Sequence, residues 1–429
     1  MFFASDDING RHKGCPRTMG LADNIILDLV TDLHDIQHMT SRIHKFKRSF
    51  VLSWVPNPIT GSAAVFLWGA RQTGKTTFLH DHFPDARFYD LLDTALSAEL
   101  SVRPRILREE VLAEQPPLVV IDEVQHVPPL LEEVHWLLEN TSTRFILCGS
   151  SARKLRRRSR NLLGGRAIDF HLLPLTTSEI GDVDLARVLQ HGALPPHYLV
   201  DDPSPLLKAY VHNYIKAEII DESATRNIPA FSRFLQIVGL CHGQQINYAN
   251  VARETGVSAS TVRNYFQLLE DTLLGFTLEP WRRRKKRRLV ETAKFYLFDV
   301  GVANQIHPEA QIVSEGSDRF GRAFEHFLLN DVRAYLSYKH LDHPISYWRT
   351  SSGFEVDLIV GNMDLAIECK STREIRTNDL KGLRALSEEN APRRKMVVSR
   401  VENARTTEDG IEILPWRDFC TRLWDGQLF

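Results

Sequence analysis

Residues 63–77 read AAVFLWGARQTGKTT, a short apolar run that leads directly into the pattern G-x-x-x-x-G-K-[ST]. The apolar run predicts a buried strand, and the residues that follow the pattern predict a helix. Glycines let such a loop curl so that its N–H groups and the helix N-terminus face bound phosphates. Lys75 is then placed to reach the β- and γ-phosphates, and the hydroxyl of Thr76 to bind Mg²⁺. The stretch therefore predicts a P-loop that takes ATP and Mg²⁺.

A second apolar run, LVVIDE at residues 118–123, ends in two acidic side chains. In a P-loop protein, Asp122 holds the Mg²⁺ shell from this position, and Glu123 orients and deprotonates the attacking water. A protein that only binds nucleotide needs no such base, so the pair predicts hydrolysis as well as binding. The alternative is a strand that ends in surface acids by chance.

Two further residues are predicted to belong to the same site. Ser150 follows the strand at 145–148 and is placed to sense the γ-phosphate, although small hydroxyl residues at strand ends are equally common as helix caps. Arg166 lies where an arginine finger could reach the nucleotide of a neighbouring subunit, or where a plain salt-bridge arginine would serve. The predicted ATP-binding residues are Gly69, Ala70, Arg71, Gln72, Thr73, Gly74, Lys75, Thr76, Thr77 and Ser150.

The region around these motifs alternates short apolar runs with helical patterns, which predicts an α/β domain with a parallel sheet. The predicted strands are 63–68, 87–91, 118–122, 144–150 and 168–173. At roughly 100–200 residues per domain, a chain of 429 residues is expected to hold two to four domains. The predicted segments are an N-terminal helical segment (1–60), the P-loop domain (61–182), a helical lid or connector (183–231), a winged-helix domain (232–300) and a C-terminal domain (301–429).

Residues 246–274 have the pattern of a helix-turn-helix, with a turn at Gly256 and Ser258 as the cap of the second helix. The apolar residues of that helix recur on one face. Its outward residues near the start, where recognition helices meet bases, are Ser260, Thr261, Arg263 and Asn264. The alternative is a winged helix that contacts only protein.

The chain has 53 basic and 54 acidic residues, but the basic ones are clustered. Residues 153–160 (RKLRRRSR) and 282–288 (RRRKKRR) contain no acidic residue. The second run lies between two predicted strands, 276–281 and 294–298, and would form the wing beside the recognition helix. Two positive patches on an otherwise acidic chain favour a polyanionic partner such as DNA, while solvated loops are the alternative.

From about Ser317 the pattern reads helix, strand, strand, helix, strand. Strand periodicity puts Glu368 and Lys370 on one face, with Asp357 on the neighbouring strand and Glu325 on the preceding helix. Carboxylates that hold Mg²⁺ beside a lysine that polarises water and phosphate are what metal-dependent phosphodiester hydrolysis requires. The alternatives are a hairpin with solvated charges, or an inherited nuclease fold without activity.

The order of these motifs resembles that of the prokaryotic AAA-type ATPases with a C-terminal DUF4143 domain, which is similar to the PD-(D/E)xK nuclease fold. The resemblance covers about residues 40–420. The matching motifs are FLWGARQTGKTTFL (66–79), LVVIDEVQ (118–125), GSSARKL (149–155), YVHNYIKAEI (210–219), KFYLFDVGVAN (294–304), EVDLIV (355–360) and AIECK (366–370). It implies that residues 301–429 form a restriction-endonuclease-like α/β domain. It also implies the standard ATPase roles for Lys75, Thr76, Asp122 and Glu123, and a nuclease-like site at Glu325, Asp357, Glu368 and Lys370.

The composition excludes several other classes. Hydrophobic residues at 43% and charged residues at 25% are ordinary for a globular protein, which argues against a collagen-like or largely disordered chain. No apolar run reaches the roughly 18 residues of a membrane span, and the N-terminus lacks a signal-peptide pattern. Five widely spaced cysteines without a Cys-x-x-Cys pair indicate neither a disulfide framework nor a zinc ribbon. We expect a cytoplasmic protein without a membrane partner.

Two functions are compatible with these features. The preferred one is an ATP-hydrolysing, homo-oligomeric protein that acts on DNA through a winged helix and carries a C-terminal nuclease-like site. The alternative is a nucleotide-operated signalling switch, in which the helix-turn-helix is an interdomain lever and the nuclease-like domain is inactive. Stimulation of ATP turnover by DNA distinguishes the two.

Overall fold

Five parallel strands form the first sheet of the computed structural model, in the order β2-β3-β4-β1-β5. The strands are β1 (Ala63–Trp68), β2 (Arg87–Asp90), β3 (Leu118–Asp122), β4 (Arg144–Gly149) and β5 (Ala167–His171). Every residue of β3 is buried, as a continuous apolar run in a parallel sheet predicts. The prediction of a parallel α/β sheet is confirmed.

The structure describes residues 46–151, 163, 167–215, 227–282, 292–307 and 313–429. The predictions made for Arg166, for the basic run 153–160, for residues 283–288 of the second run and for residues 1–45 lie outside the described residues.

Helices cover both faces of the first sheet. Val134 of α4 packs with Val119 and Ile121 on one face, and Phe78 of α1 packs with Val65 on the other. The helices of this part are α1 (Lys75–His82), α2 (Thr94–Val102), α3 (Arg105–Glu114) and α4 (Leu130–Asn140). Because both faces are covered, polar side chains of this sheet are concentrated where its strands end.

Short helices connect this sheet to a helix-turn-helix. The connecting helices are α5 (Thr177–Ile180), α6 (Leu185–His191), α7 (Pro195–Leu199) and α8 (Ser204–Ala209), and a π-helical turn follows at Tyr210–Tyr214. The next helices are α9 (Ile228–Leu240), α10 (Tyr248–Thr255) and α11 (Ala259–Asp271). Gly256, with a φ of 70°, ends α10. Ser258 caps α11 by accepting a hydrogen bond from the N–H of Thr261, as predicted.

The second sheet has eight strands in the order β12-β13-β11-β10-β9-β8-β6-β7. Its strands are β6 (Gly275–Pro280), β7 (Lys294–Leu297), β8 (Ile345–Arg349), β9 (Glu355–Val360), β10 (Leu365–Lys370), β11 (Arg394–Ser399), β12 (Arg405–Thr406) and β13 (Ile411–Pro415). The helices around it are α12 (Val300–Ile306), α13 (Asp318–Tyr338), α14 (Lys381–Glu389) and α15 (Trp416–Trp424). The predicted order matches α13, β9, β10, α14 and β11, but it omitted β8, β12, β13 and α15.

This sheet crosses the domain boundary predicted at residue 300. The hairpin of β6 and β7 follows the helix-turn-helix, yet β6 pairs with β8 through Glu279 with Ser346 and Pro280 with Tyr347. Leu278 and Tyr296 of the hairpin share one buried cluster with Phe324 of α13. The two strands of the hairpin are therefore continuous with the C-terminal sheet and its core.

Helix α13 contacts several parts of the molecule along its length. Asp331 accepts hydrogen bonds from the N–H (2.9 Å) and the hydroxyl (2.7 Å) of Thr177 in α5. At the end of α13, the Tyr338 oxygen accepts hydrogen bonds from the N–H of Leu173 (3.1 Å) and from Arg48 (3.0 Å). Hydrogen bonds thus join the C-terminal domain directly to the segment that follows β5.

Truncation of Phe324 tests this shared core. Phe324 is fully buried, so Phe324→Ala should lower the free energy of unfolding by about 3–5 kcal/mol through lost contacts and a cavity. The measurement is chemical denaturation of the full chain. Phe354→Ala is the matched control because Phe354 is 40% exposed, and it should cost about 1 kcal/mol or less. Equal losses in the two variants would contradict the shared core.

Candidate active site

The loop between β1 and α1 curls back on itself. The Thr73 hydroxyl donates to the Ala70 carbonyl at 2.9 Å, and Gly74 has a φ of 89° immediately before α1. A Cβ atom at Gly69 would lie 2.6 Å from the carbonyl oxygen of Leu172. Glycine is therefore required at position 69 by space and at position 74 by backbone conformation.

Lys75 is buried at the first turn of α1. Its Nζ donates to the carbonyl oxygens of Gly69 (2.8 Å) and Ala70 (3.3 Å). Within the described part of the chain it forms no ion pair. A buried ammonium group that has only main-chain carbonyls as partners lacks a counter-charge, and the phosphate of a nucleotide would supply one.

Thr76 and Asp122 converge where β3 ends. The Thr76 hydroxyl donates to Asp122 Oδ2 at 2.6 Å, and the other carboxylate oxygen accepts from the N–H of Glu123 at 2.9 Å. Hydroxyl and carboxylate oxygens are ligands that Mg²⁺ accepts, usually together with the phosphates of the substrate. These residues therefore fit Mg²⁺ bound with ATP, with Thr76 and Asp122 as its protein ligands.

Glu123 is held in a fixed position beside this pair. The Ser150 hydroxyl donates to Glu123 Oε2 at 3.1 Å, and the amide of Gln125 donates to the same oxygen. Glu123 has a φ of 54°, in the left-handed region that residues other than glycine rarely adopt. The side chains of Glu123, Gln125 and Ser150 are buried. Ser150 thus contacts the predicted base directly.

Gln125 was missed by the sequence analysis. Its Nε2 also lies 3.1 Å from the Ser150 hydroxyl, so it connects two predicted site residues. The available signal was an amide residue two positions after the acidic pair, between Val124 and His126. Arg71, Gln72 and Thr77 lie on the loop and the first turn of α1, at the positions predicted for them.

The P-loop also contacts the connector. The Tyr210 hydroxyl donates to the Arg71 carbonyl at 3.3 Å. Ala70 belongs to a buried cluster that includes Leu194 and Leu207 of the connector and Phe266 of α11. The loop that would surround the phosphates is therefore packed against the part of the molecule that carries the helix-turn-helix.

The outer face of α11 is largely open to solvent. Ser260, Arg263 and Asn264 are exposed and Thr261 is half-buried, while Val262 on the opposite face is fully buried. The guanidinium of Arg263 lies 4.0 Å from the centre of the Tyr248 ring on α10. The predicted division of this helix into a buried and a polar face is confirmed, and its role as a recognition helix stays a prediction.

The predicted nuclease-like residues lie together at a second place. The carboxylate of Asp357 accepts from the N–H of Cys369 at 2.8 Å, and Glu368 Oε1 lies 2.5 Å from the Lys370 ammonium. Glu325 of α13 accepts hydrogen bonds from Lys294 and Tyr296 of β7. Burial, reinforced by the charge of Glu325, raises the pKa of Asp357 to about 6. The acidic residues are therefore crowded and poorly solvated.

Lys294 and Glu355 complete this group, and neither was predicted to belong to it. Lys294 Nζ lies 2.6 Å from Glu355 Oε1, and Glu355 also pairs with Arg349 at 2.9 Å. We call this group the acidic cluster; it consists of Glu325, Glu355, Asp357 and Glu368 with Lys294 and Lys370.

Comparison with protein-family models agrees with the resemblance predicted from the sequence. Residues 61–181 match the model described as "AAA domain", and residues 320–419 match "Domain of unknown function (DUF4143)". A further model, "Domain of unknown function (DUF8612)", matches residues 183–311. The chain thus contains an AAA domain and a C-terminal DUF4143 domain, as predicted.

The chain is also similar to several individual proteins. It is 26% identical to an uncharacterized protein of Mycobacterium tuberculosis over 340 residues, which covers 76% of this chain and 74% of that protein. An uncharacterized protein of Haemophilus influenzae is 22% identical over 218 residues, 46% of this chain and 54% of that protein.

Among solved structures, the ORC1 protein of Aeropyrum pernix in complex with DNA aligns with a TM-score of 0.27 and 12% identity, covering 57% of this chain and 86% of that chain. A STAND-type signal transduction ATPase of Pyrococcus horikoshii aligns with a TM-score of 0.21 and 14% identity, covering 65% and 47%. No helix in the described ranges is long and apolar enough to cross a membrane.

Two substitutions test the roles at the ATP site. Lys75→Ala should abolish nucleotide binding because it removes the buried ammonium. Glu123→Gln should keep binding but lower ATP turnover by roughly 10²-fold or more, the scale of a lost general base. Calorimetry measures nucleotide binding, and the rate of phosphate release measures ATP turnover. Glu132→Gln on the exposed face of α4 is the control and should leave both unchanged. Unchanged turnover in Glu123→Gln would remove Glu123 from its assigned role.

Proposed function

We propose that this protein hydrolyses ATP in the cytoplasm and acts on DNA through its helix-turn-helix. The observation that carries the first part is the buried carboxylate of Glu123, fixed by Ser150 and Gln125 beside the pair formed by Thr76 and Asp122. A site that only retained nucleotide would not need a positioned base.

The residues of the site have separate tasks in this proposal. The ammonium of Lys75 leaves its main-chain carbonyls and binds the β- and γ-phosphates. Thr76 and Asp122 would hold Mg²⁺, which when bound offsets the negative charge that develops on the phosphates. Glu123 accepts the proton of the attacking water, while the hydrogen bonds from Ser150 and Gln125 keep its carboxylate oriented.

Contact with DNA is supported by the exposed face of α11 and by the basic run that follows it in the sequence. The exposed face of α11 carries Ser260, Arg263 and Asn264, which are residue types that contact bases and phosphates. The run 282–288 begins directly after β6, which follows α11 in the chain. A positive segment that follows a polar recognition face is the combination that favours backbone contact with duplex DNA.

The proposal includes a homo-oligomer. The sequence predicts Arg166 as an arginine finger that reaches the nucleotide of a neighbouring subunit, and a finger supplied in this way requires more than one copy of the chain.

The second candidate function is a nucleotide-operated switch. It is favoured by the cluster that joins Ala70 of the P-loop to Leu194 of the connector and Phe266 of α11. A change in the loop on nucleotide binding would displace the helix-turn-helix, which would then serve as a lever between domains.

ATP turnover measured with and without duplex DNA, at two salt concentrations, separates the two functions. The DNA-acting protein should be stimulated at low salt, and the stimulation should fade at high salt because phosphate contacts are screened. Turnover that is normal but indifferent to DNA would favour the switch.

Neutralisation of residues 282–288 tests the wing. Each lost phosphate contact should lower the slope of log affinity against log salt by about 0.9 on duplex DNA. Fluorescence anisotropy with a labelled duplex at several salt concentrations gives this slope. Replacement of the exposed Arg103 and Arg105 by glutamine, where α2 ends and α3 begins, is the control and should leave the slope unchanged. A wild-type protein without DNA affinity at low salt would contradict the DNA-binding part of the proposal.

A further inference from the structure

Lys294 places a positive charge inside the acidic cluster. The residue is 4% exposed, and its Nζ lies 2.6 Å from Glu355 Oε1 and 3.3 Å from Glu325 Oε1. The same Nζ lies 5.1 Å from the centre of the buried Tyr347 ring on β8. An ammonium group thus sits among carboxylates at the place where the sequence predicted a divalent metal ion.

The backbone fixes the position of Lys294. It pairs with Leu278 of β6 on one side and forms a bridge with Gln245 on the other. The Tyr347 hydroxyl accepts a hydrogen bond from Gln245 at 3.0 Å and donates to the carbonyl of Thr292. Lys294 therefore enters the acidic cluster from a strand that is held on both sides, and not as a long side chain on an open surface.

The other two carboxylates of the acidic cluster, Asp357 and Glu368, already have partners within the protein. Asp357 accepts from the Cys369 N–H, and Glu368 Oε1 is paired with Lys370. Glu368 Oε2 is buried without a hydrogen-bond partner in the described structure. Lys294 Nζ faces carboxylate oxygens from two different elements, Glu325 of α13 and Glu355 of β9, which compensate its charge.

These residues do not fit a divalent metal ion as they stand. Among the described residues, no group of three or more His, Cys, Asp or Glu side chains is arranged to hold one. Mg²⁺ needs near-octahedral oxygen ligands at roughly 2.0–2.1 Å, whereas Glu325 and Glu355 are directed at an ammonium group. A divalent metal ion bound to Glu325 or Glu355 would also be repelled by the nearby Lys294 ammonium, because the site is poorly solvated.

We propose that Lys294 is the resident cation of the acidic cluster, that it excludes divalent metal ions, and that it fastens the hairpin of β6 and β7 to the C-terminal domain. The DUF4143 domain then has the residues of a nuclease-like site without its metal chemistry. This inference is independent of ATP hydrolysis and of DNA binding, because it concerns a different site.

The test is a titration of the nucleotide-free full chain with Mn²⁺. Electron paramagnetic resonance measures the Mn²⁺ that stays free, and so the amount that is bound. Lys294→Met should raise the Mn²⁺ affinity of the acidic cluster by at least about tenfold, because it removes the competing charge from Glu325 and Glu355. The double variant Lys294→Met/Asp357→Asn should lose that gain. Lys381→Met, on the exposed face of α14, should bind Mn²⁺ like the wild type.

Thermal unfolding gives a second readout. Lys294→Met should unfold at a lower temperature than the wild type, and Mn²⁺ should restore part of the loss in this variant while leaving the wild type unchanged. A folded Lys294→Met that gains no Mn²⁺ affinity and is not stabilised by Mn²⁺ would overturn the proposal.

A third comparison does not depend on the folding of Lys294→Met. The wild type and Asp357→Asn should give the same Mn²⁺ titration if Lys294 already occupies the site. A wild-type Mn²⁺ site that Asp357→Asn removes would also overturn the proposal, and the cluster would then be an ordinary metal centre.

Discussion

Two residue pairs, Glu279 with Ser346 and Pro280 with Tyr347, bring β6 into the C-terminal sheet. Much of the C-terminal half depends on this short parallel contact. It places β7 at the edge of the sheet, and so brings Lys294 to the carboxylates of α13 and β9. It also merges the core of the hairpin with that of the DUF4143 domain, because Leu278 and Phe324 pack in one cluster. The hairpin that follows the helix-turn-helix, which the sequence predicted to belong to a winged-helix domain, is thereby part of the C-terminal sheet.

Two buried lysines show how surroundings decide what an ammonium group can do. Lys75 has main-chain carbonyls as its partners and no carboxylate paired with it among the described residues, so it is ready for an anion. Lys294 has Glu325 and Glu355 within salt-bridge distance, so its charge is already compensated. The first arrangement suits a residue that must exchange partners during a reaction. The second suits a residue that holds structure together, since removing one partner of a buried ion pair is costly.

The sequence predicted the features whose signal is local. The strand 118–122 was predicted to its exact bounds because a continuous apolar run can only be buried, and the acidic pair follows at its end. Ser258 was predicted as a helix cap from its own position. By contrast, β8 was missed because ISYWR is short and mixed, and β12 has only two residues. Lys294 was missed because its partners are distant in the chain and meet it only after β6 joins β8, which no local pattern reports.

The contacts of α13 have a mechanical consequence. Glu325 near its beginning belongs to the acidic cluster, and Tyr338 at its end contacts Leu173 just after β5 of the AAA domain. At a rise of about 1.5 Å per residue, these two points are about 20 Å apart along one continuous helix. A helix resists stretching and bending over this length far more than a loop does. The helix is therefore a rigid connection between these two points, so a shift of the chain after β5 would displace the acidic cluster together with the whole helix.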